Sequence, residues 1–154
     1  MAPAIPLSRT VKGLQRRVPL PIIGLTRTTT AMLFHRTFLL LDDHSGSREE
    51  LRGIIRHAGA TILGTAGTTD EALERVAQLR PDAVVIDVNL PGTYDPIVTI
   101  QRMRRLVPEL TVFCTGSASQ SAVMMEALSM GASDFFLKPL QQRTVSDCLQ
   151  RNLG

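Results

Sequence analysis

Five side chains suited to phosphate and divalent-cation chemistry stand where short apolar runs end. Phe38–Leu41 runs into Asp42 and Asp43, Ala83–Ile86 into Asp87, Leu110–Cys114 into Thr115, and Phe135–Leu137 into Lys138 followed by Pro139. If the runs are strands of an open parallel sheet, their carboxyl ends share one crevice, the place where such sheets bind ligands. Three carboxylates, a hydroxyl and an ammonium would then meet at one rim. Clustered carboxylates resist ionising together unless a positive charge neutralises them. A hard cation such as Mg²⁺ does so with one or two carboxylates, completing its shell with water and phosphate oxygens. Lys138 stands out because residues 32–154 hold 11 arginines and this one lysine. A compact ammonium can salt-bridge a carboxylate and still touch a phosphoryl oxygen, a task for which the flat guanidinium fork is less suited. Thr115 offers a hydroxyl that could hydrogen-bond such an oxygen, and Gly116 would keep its approach open. Scattered His35, His44 and His57 give no metal-ligand spacing with Cys114 and Cys148.

To bring those residues together the chain must alternate strand and helix, and its pattern does. Ser47 with Glu50 reads as a capping box opening the first helix, whose buried face is Leu51, Ile54, Ile55 and Ala58; Gly59 ends it. Thr61–Leu63 begins a second strand. Thr68 with Glu71 repeats the capping pattern ahead of a stripe of Ala72, Val76 and Leu79. Ala83–Ile86 is continuously apolar, as a strand covered on both faces should be. Asp95 with Pro96 reads as a cap and first turn, with Ile97, Ile100 and Met103 facing inward. A fourth helix is predicted over about Gln120 to Met130, closed by Gly131. A fifth carries Val145, Cys148 and Leu149. These make five βα units, each short enough for right-handed crossovers on a parallel α/β sheet.

The 154 residues carry a net charge of +3, unevenly spread. Residues 1–31 hold Arg9, Lys12, Arg16, Arg17 and Arg27 and no acid, whereas 32–154 hold 12 basic and 14 acidic residues. The expectation is a basic, disordered extension over 1–31 or an upstream start, with a folded domain from Met32. A targeting segment is disfavoured because prolines interrupt its apolar stretch. No basic face of nucleic-acid-binding type is expected, nor any membrane span. Two cysteines in apolar patterns fit buried thiols in a reducing, cytoplasmic setting.

The motifs Leu40-Leu41-Asp42-Asp43, Val84-Val85-Ile86-Asp87-Val88-Asn89-Leu90-Pro91-Gly92, Gly131-Ala132-Ser133-Asp134-Phe135 and Leu137-Lys138-Pro139-Leu140, in this order, resemble the response-regulator receiver domain of two-component signalling. The resemblance runs from about Phe38 to Leu153. It implies a flavodoxin-like (βα)5 fold with parallel strand order 2-1-3-4-5. It also implies that Asp87 is the phosphoacceptor, charged by a sensor histidine kinase or phosphotransfer protein. Asp43, Asp87 and the Asn89 backbone carbonyl would ligate Mg²⁺, with Asp42 acting through water. Thr115 and Lys138 would contact the phosphoryl group, and Phe135 would be the aromatic switch. Output to a protein target would use the fourth helix, fifth strand and fifth helix, and the Lys138–Pro139 bond would often be cis. Asp95-Pro96 departs from the family's Asp-Gly, and Phe135 lacks the hydroxyl of the more usual Tyr. With only 15 residues after Pro139, a stand-alone receiver without enzymatic turnover or direct DNA binding is expected. The alternatives are a phosphate-independent interaction module on the same fold, a fragment of a longer transcriptional regulator, or an aspartyl-phosphate phosphohydrolase. For the last, Asn89 replaces the second acid of Asp-x-Asp.

Overall fold

The structure, a computed structural model, describes residues 33–154. The basic extension expected over 1–31 lies outside the described residues. Strands β1 (Thr37–Leu41), β2 (Thr61–Ala66), β3 (Ala83–Asp87), β4 (Thr111–Gly116) and β5 (Asp134–Leu137) alternate with helices α1 (Ser45–His57), α2 (Thr69–Leu79), α3 (Pro96–Leu106), α4 (Ser121–Ser129) and α5 (Gln142–Leu153). The strands form one parallel sheet in the order β2-β1-β3-β4-β5, as the resemblance implies. Each of the five residues of central β3 is buried, because helices cover both of its faces. One apolar layer joins Ala72 and Val76 of α2, Ile97, Ile100 and Met103 of α3, and Met124 and Ala127 of α4 to the sheet. The other joins Leu51, Ile54 and Ile55 of α1 to Val145, Cys148 and Leu149 of α5. Phe113 and Phe136 stack within the second layer, with ring centroids 5.4 Å apart. Each such aliphatic or aromatic side chain taken from water contributes roughly 1.5–3 kcal/mol before entropy is counted. Burial pushes both thiols, Cys114 and Cys148, up to about 12.

Helix ends follow local chemistry in some places and depart from it in others. The Thr68 hydroxyl accepts from the Glu71 amide at 3.1 Å and caps α2. The Glu71 carboxylate accepts from Gly67 N–H at 2.9 Å, one residue short of the reciprocal box. Asp95 caps α3 by accepting from Ile97 N–H at 2.7 Å, with Pro96 in the first turn. The expected Ser47 start of α1 is wrong by two residues: the helix begins at Ser45 with His44 as a cap that supplies no side-chain bond. A short 3-10 turn, Ala118–Gln120, precedes α4. Leu79, expected in the buried stripe of α2, is 40% exposed. It lies over Gly64 of β2, which is an edge strand of the sheet among the described residues. The backbone turns left-handed at Gly59 (φ +95°) and Gly131 (φ +124°), where α1 and α4 give way to strands.

Candidate functional site

The sheet register sets the site. Asp87 and Thr115 are paired neighbours at the carboxyl ends of β3 and β4, and Leu41 and Ile86 are paired one residue before Asp42 and Asp87. Gly116 pairs with Leu137, and the Lys138 N–H donates to the Gly116 carbonyl at 2.9 Å, which holds the lysine at the same rim. The Lys138–Pro139 peptide is cis.

Lys138 Nζ lies 2.5 Å from Asp87 Oδ2 and 3.4 Å from Asp42 Oδ2. Both carboxylates are buried, and Lys138 is half-buried. Burial alone would lower the ammonium's pKa, but the hydrogen bond and charge of Asp87, with those of Asp42, more than offset it and raise it. The remaining oxygens are met by nearby backbone: Asp87 Oδ1 accepts from Asn89 N–H at 2.6 Å, and Asp42 Oδ1 from His44 N–H at 2.9 Å. Arg48 donates to the Asp42 carbonyl at 2.7 Å. Asp43 and Asn89 are exposed beside this buried pair.

One atom breaks the rule that buried polar groups find partners. Thr115 Oγ1 is buried and has no hydrogen-bond partner among the described residues, and it belongs to the residue paired with Asp87. Asp42, Asp43 and His44 also bring one ligand atom each within 4.8 Å of one another. His44 Nδ1 lies 3.2 Å from Asp43 Oδ1 and 3.4 Å from Asp42 Oδ1. The two carboxylates are hard oxygen donors that suit a divalent cation, and the His44 ring nitrogen stands beside them. Of the residues read from the sequence, Asp42, Asp87 and Lys138 are in direct contact, and Thr115 adjoins them in the sheet. Phe135 is half-buried, in register with Cys114 and packed on the α2–α4 layer.

Gly116 has a different job from the one expected. A Cβ there would lie 2.8 Å from Val88 Cγ2 and 3.0 Å from Gln120 Oε1, so the glycine admits close packing rather than keeping an approach open. Sequence reasoning also missed the anchoring of the loop after Asp87. Buried Thr69 donates its N–H to the Pro91 carbonyl at 2.8 Å, and its hydroxyl accepts from Tyr94 N–H at 3.2 Å. Asp70 Oδ1 accepts from Thr93 N–H at 2.8 Å, and this bond chiefly lowers the carboxyl's pKa. No local signal could reveal pairings made across 22 to 25 residues. Gly92, at φ +140°, fits beneath Thr69, where a Cβ would fall 2.2 Å from the threonine hydroxyl.

Residues 38–150 match the response regulator receiver domain family. The chain is 32% identical over 113 residues to the chemotaxis protein CheY of Thermotoga maritima, covering 73% of this chain and 93% of that one. It is 34% identical over 103 residues to a protein-glutamate methylesterase/protein-glutamine glutaminase of Xanthomonas oryzae pv. oryzae, covering 66% of this chain but 28% of that longer protein. The crystal structure of the receiver domain of NtrX from Brucella abortus superposes with a TM-score of 0.70 at 25% identity, over 75% of this chain and 97% of that one. Strand order, the acidic rim with its lysine, and this likeness agree: the chain belongs to the response regulator receiver domain family.

Proposed function

We propose that this receiver accepts a phosphoryl group on Asp87 from the phosphohistidine of a sensor histidine kinase or phosphotransfer protein, and passes the signal on through protein contacts. The observation that carries this reading is the unpartnered Thr115 hydroxyl beside a buried aspartate already touched by an ammonium. An Asp87 oxygen attacks phosphorus, the phosphorus–nitrogen bond breaks, and the imidazole leaves with a proton. The resulting acyl phosphate offers oxygens to Thr115 Oγ1 and to Lys138 Nζ. Asp43, Asp87 and the Asn89 carbonyl, with Asp42 through water, would hold Mg²⁺, which when bound neutralises charge on the transferring group. Lys138 holds the Asp87 carboxylate in place through their ion pair, and positioning with charge neutralisation is most of what phosphoryl transfer needs. Half-buried Phe135 is placed to respond as Thr115 gains a ligand. Moving such a domain from 1:99 to 99:1 active takes about 5.5 kcal/mol of differential interaction, within reach of several charge-assisted hydrogen bonds.

The test is intact-mass spectrometry after incubation with acetyl phosphate and Mg²⁺. We expect one phosphoryl adduct on the wild-type chain, none on Asp87→Asn, and none when the cation is chelated. An adduct on Asp87→Asn equal to that on the wild type would refute the assignment. No helix among the described residues is long and apolar enough to cross a membrane, in keeping with a signal carried by protein contacts.

A further inference from the structure

Arg102 and Arg105 of α3, with Arg80 where α2 ends, make a second charged feature of opposite sign to the rim, while α2 itself carries Asp70, Glu71 and Glu74. These helices pack side by side, and a groove of about 270 Å³ between them is lined by Leu73, Arg102, Arg105 and Leu106. Its apolar content is not hidden: Leu106 is 42% exposed, and Val98, one turn before Arg102, is 38% exposed. Helix α3 contains three arginines and no acid. The favourable end of the helix dipole accounts for Arg104 and Arg105 in the last turn, but not for Arg102. Arg104 is committed to the Leu110 carbonyl. The Arg102 guanidinium carbon lies over the Tyr94 ring, 4.3 Å from its centroid, a cation–π contact that orients it without neutralising it. Arg80, whose guanidinium reaches the Leu106 carbonyl at 3.4 Å, adds a third positive group where the helices end. Among the described residues, none of Arg80, Arg102 and Arg105 forms an ion pair with a carboxylate.

We infer that this groove docks an acidic amphipathic helix of a partner protein. Leucine or isoleucine side chains would enter between Leu73 and Leu106, and flanking glutamates or aspartates would pair with Arg102 and Arg105. The reasons are charge complementarity and preorganisation. Guanidiniums pair bidentately with carboxylates, arginine is enriched at interfaces, and a helix laid in a groove presents apolar anchors at i, i+3 and i+4 with charges beside them. The inference goes beyond phosphoacceptance and does not depend on it, since none of these residues touches Asp87.

The test uses the full chain and two designed sixteen-residue helical peptides of identical leucine pattern, one with glutamate and one with lysine at the flanking positions. In ¹H–¹⁵N correlation spectra, the glutamate peptide should shift resonances of α2 and α3 around residues 73, 80, 98, 102 and 106. It should bind Asp87→Asn equally well, so failure of the phosphoacceptor reading leaves this result standing. By fluorescence anisotropy, the double variant R102E/R105E should weaken the glutamate peptide at least tenfold, with an unchanged circular dichroism spectrum. Rising salt should weaken the wild-type interaction. Equal binding of the two peptides, shifts centred on another face, indifference to R102E/R105E, or no binding at millimolar peptide would each overturn the inference. So would binding to vesicles containing phosphatidylserine with none to the glutamate peptide.

Discussion

The acidic rim and the arginines of α3 with Arg80 obey different electrostatic rules. At the rim, Asp42 and Asp87 are buried, and all four of their carboxylate oxygens meet an ammonium or a backbone amide. On the helical surface, Arg80, Arg102 and Arg105 are exposed; a carbonyl orients Arg80 and an aromatic ring orients Arg102 without cancelling their charge. Burial makes pairing compulsory because an unpaired interior charge costs several kcal/mol; water removes that compulsion. Pairing at the rim is therefore required by the interior, while the exposed guanidiniums are solvated and need no partner within the domain.

The strongest way to break this contrast is Lys138→Met. With the ammonium gone, two buried carboxylates face each other, and we expect a loss of about 3 kcal/mol in urea unfolding at pH 7, the lower end for breaking a buried pair because the lysine is partly exposed. A loss under about 1 kcal/mol would mean that the rim behaves like an exposed ion pair.

The apolar layers beneath both surfaces titrate in a defined direction. Cys114 and Cys148, held at about 12 in the fold against 9.0 in the open chain, bind protons that the unfolded chain has released. Stability should be complete below pH 9 and fall from there toward pH 12, by up to about 1.4 kcal/mol per pH unit for each thiol. The raised pKa of Lys138 acts in the same direction above its ordinary range. Denaturant titrations of the wild type and of Cys114→Ala/Cys148→Ala should diverge in slope across that interval. Native thiols should also react slowly with a disulfide reagent at pH 8.

A smaller loss is expected from Gly92→Ala. It combines a positive φ with a clash against Thr69 and should cost roughly 1–3 kcal/mol, read as a lower urea midpoint with α3 intact by circular dichroism. Smallest of all is R102E/R105E, which should change stability by no more than about 0.5 kcal/mol. A large loss there would show that these arginines hold the fold and would erase the distinction between the two surfaces.

The strands, the sheet's parallel character and the rim were legible because each depends on short-range pattern. An apolar run ending in Asp87 or Lys138 announces both a strand and its chemically useful end. Strand order came from resemblance rather than pattern. What stayed illegible depended on covering. Periodicity put Leu79 on the same stripe as Val76, but only the sheet shows that its turn lies over an edge strand. A Ser-x-x-Glu spacing is the same whether or not the helix has already begun, so Ser47 misled while Thr68 did not. Nothing near Asp87 in sequence announces that Thr69 and Asp70 restrain its loop.

That restraint limits what length the segment behind Asp87 can have. Residues 91–94 are stitched to the opening turn of α2 by three hydrogen bonds, with Gly92 wedged in the seam. A single residue added between Asn89 and Asp95 could not bulge outward harmlessly. It would unpick the stitching or drag the first turn of α3 out of line with its Asp95 cap.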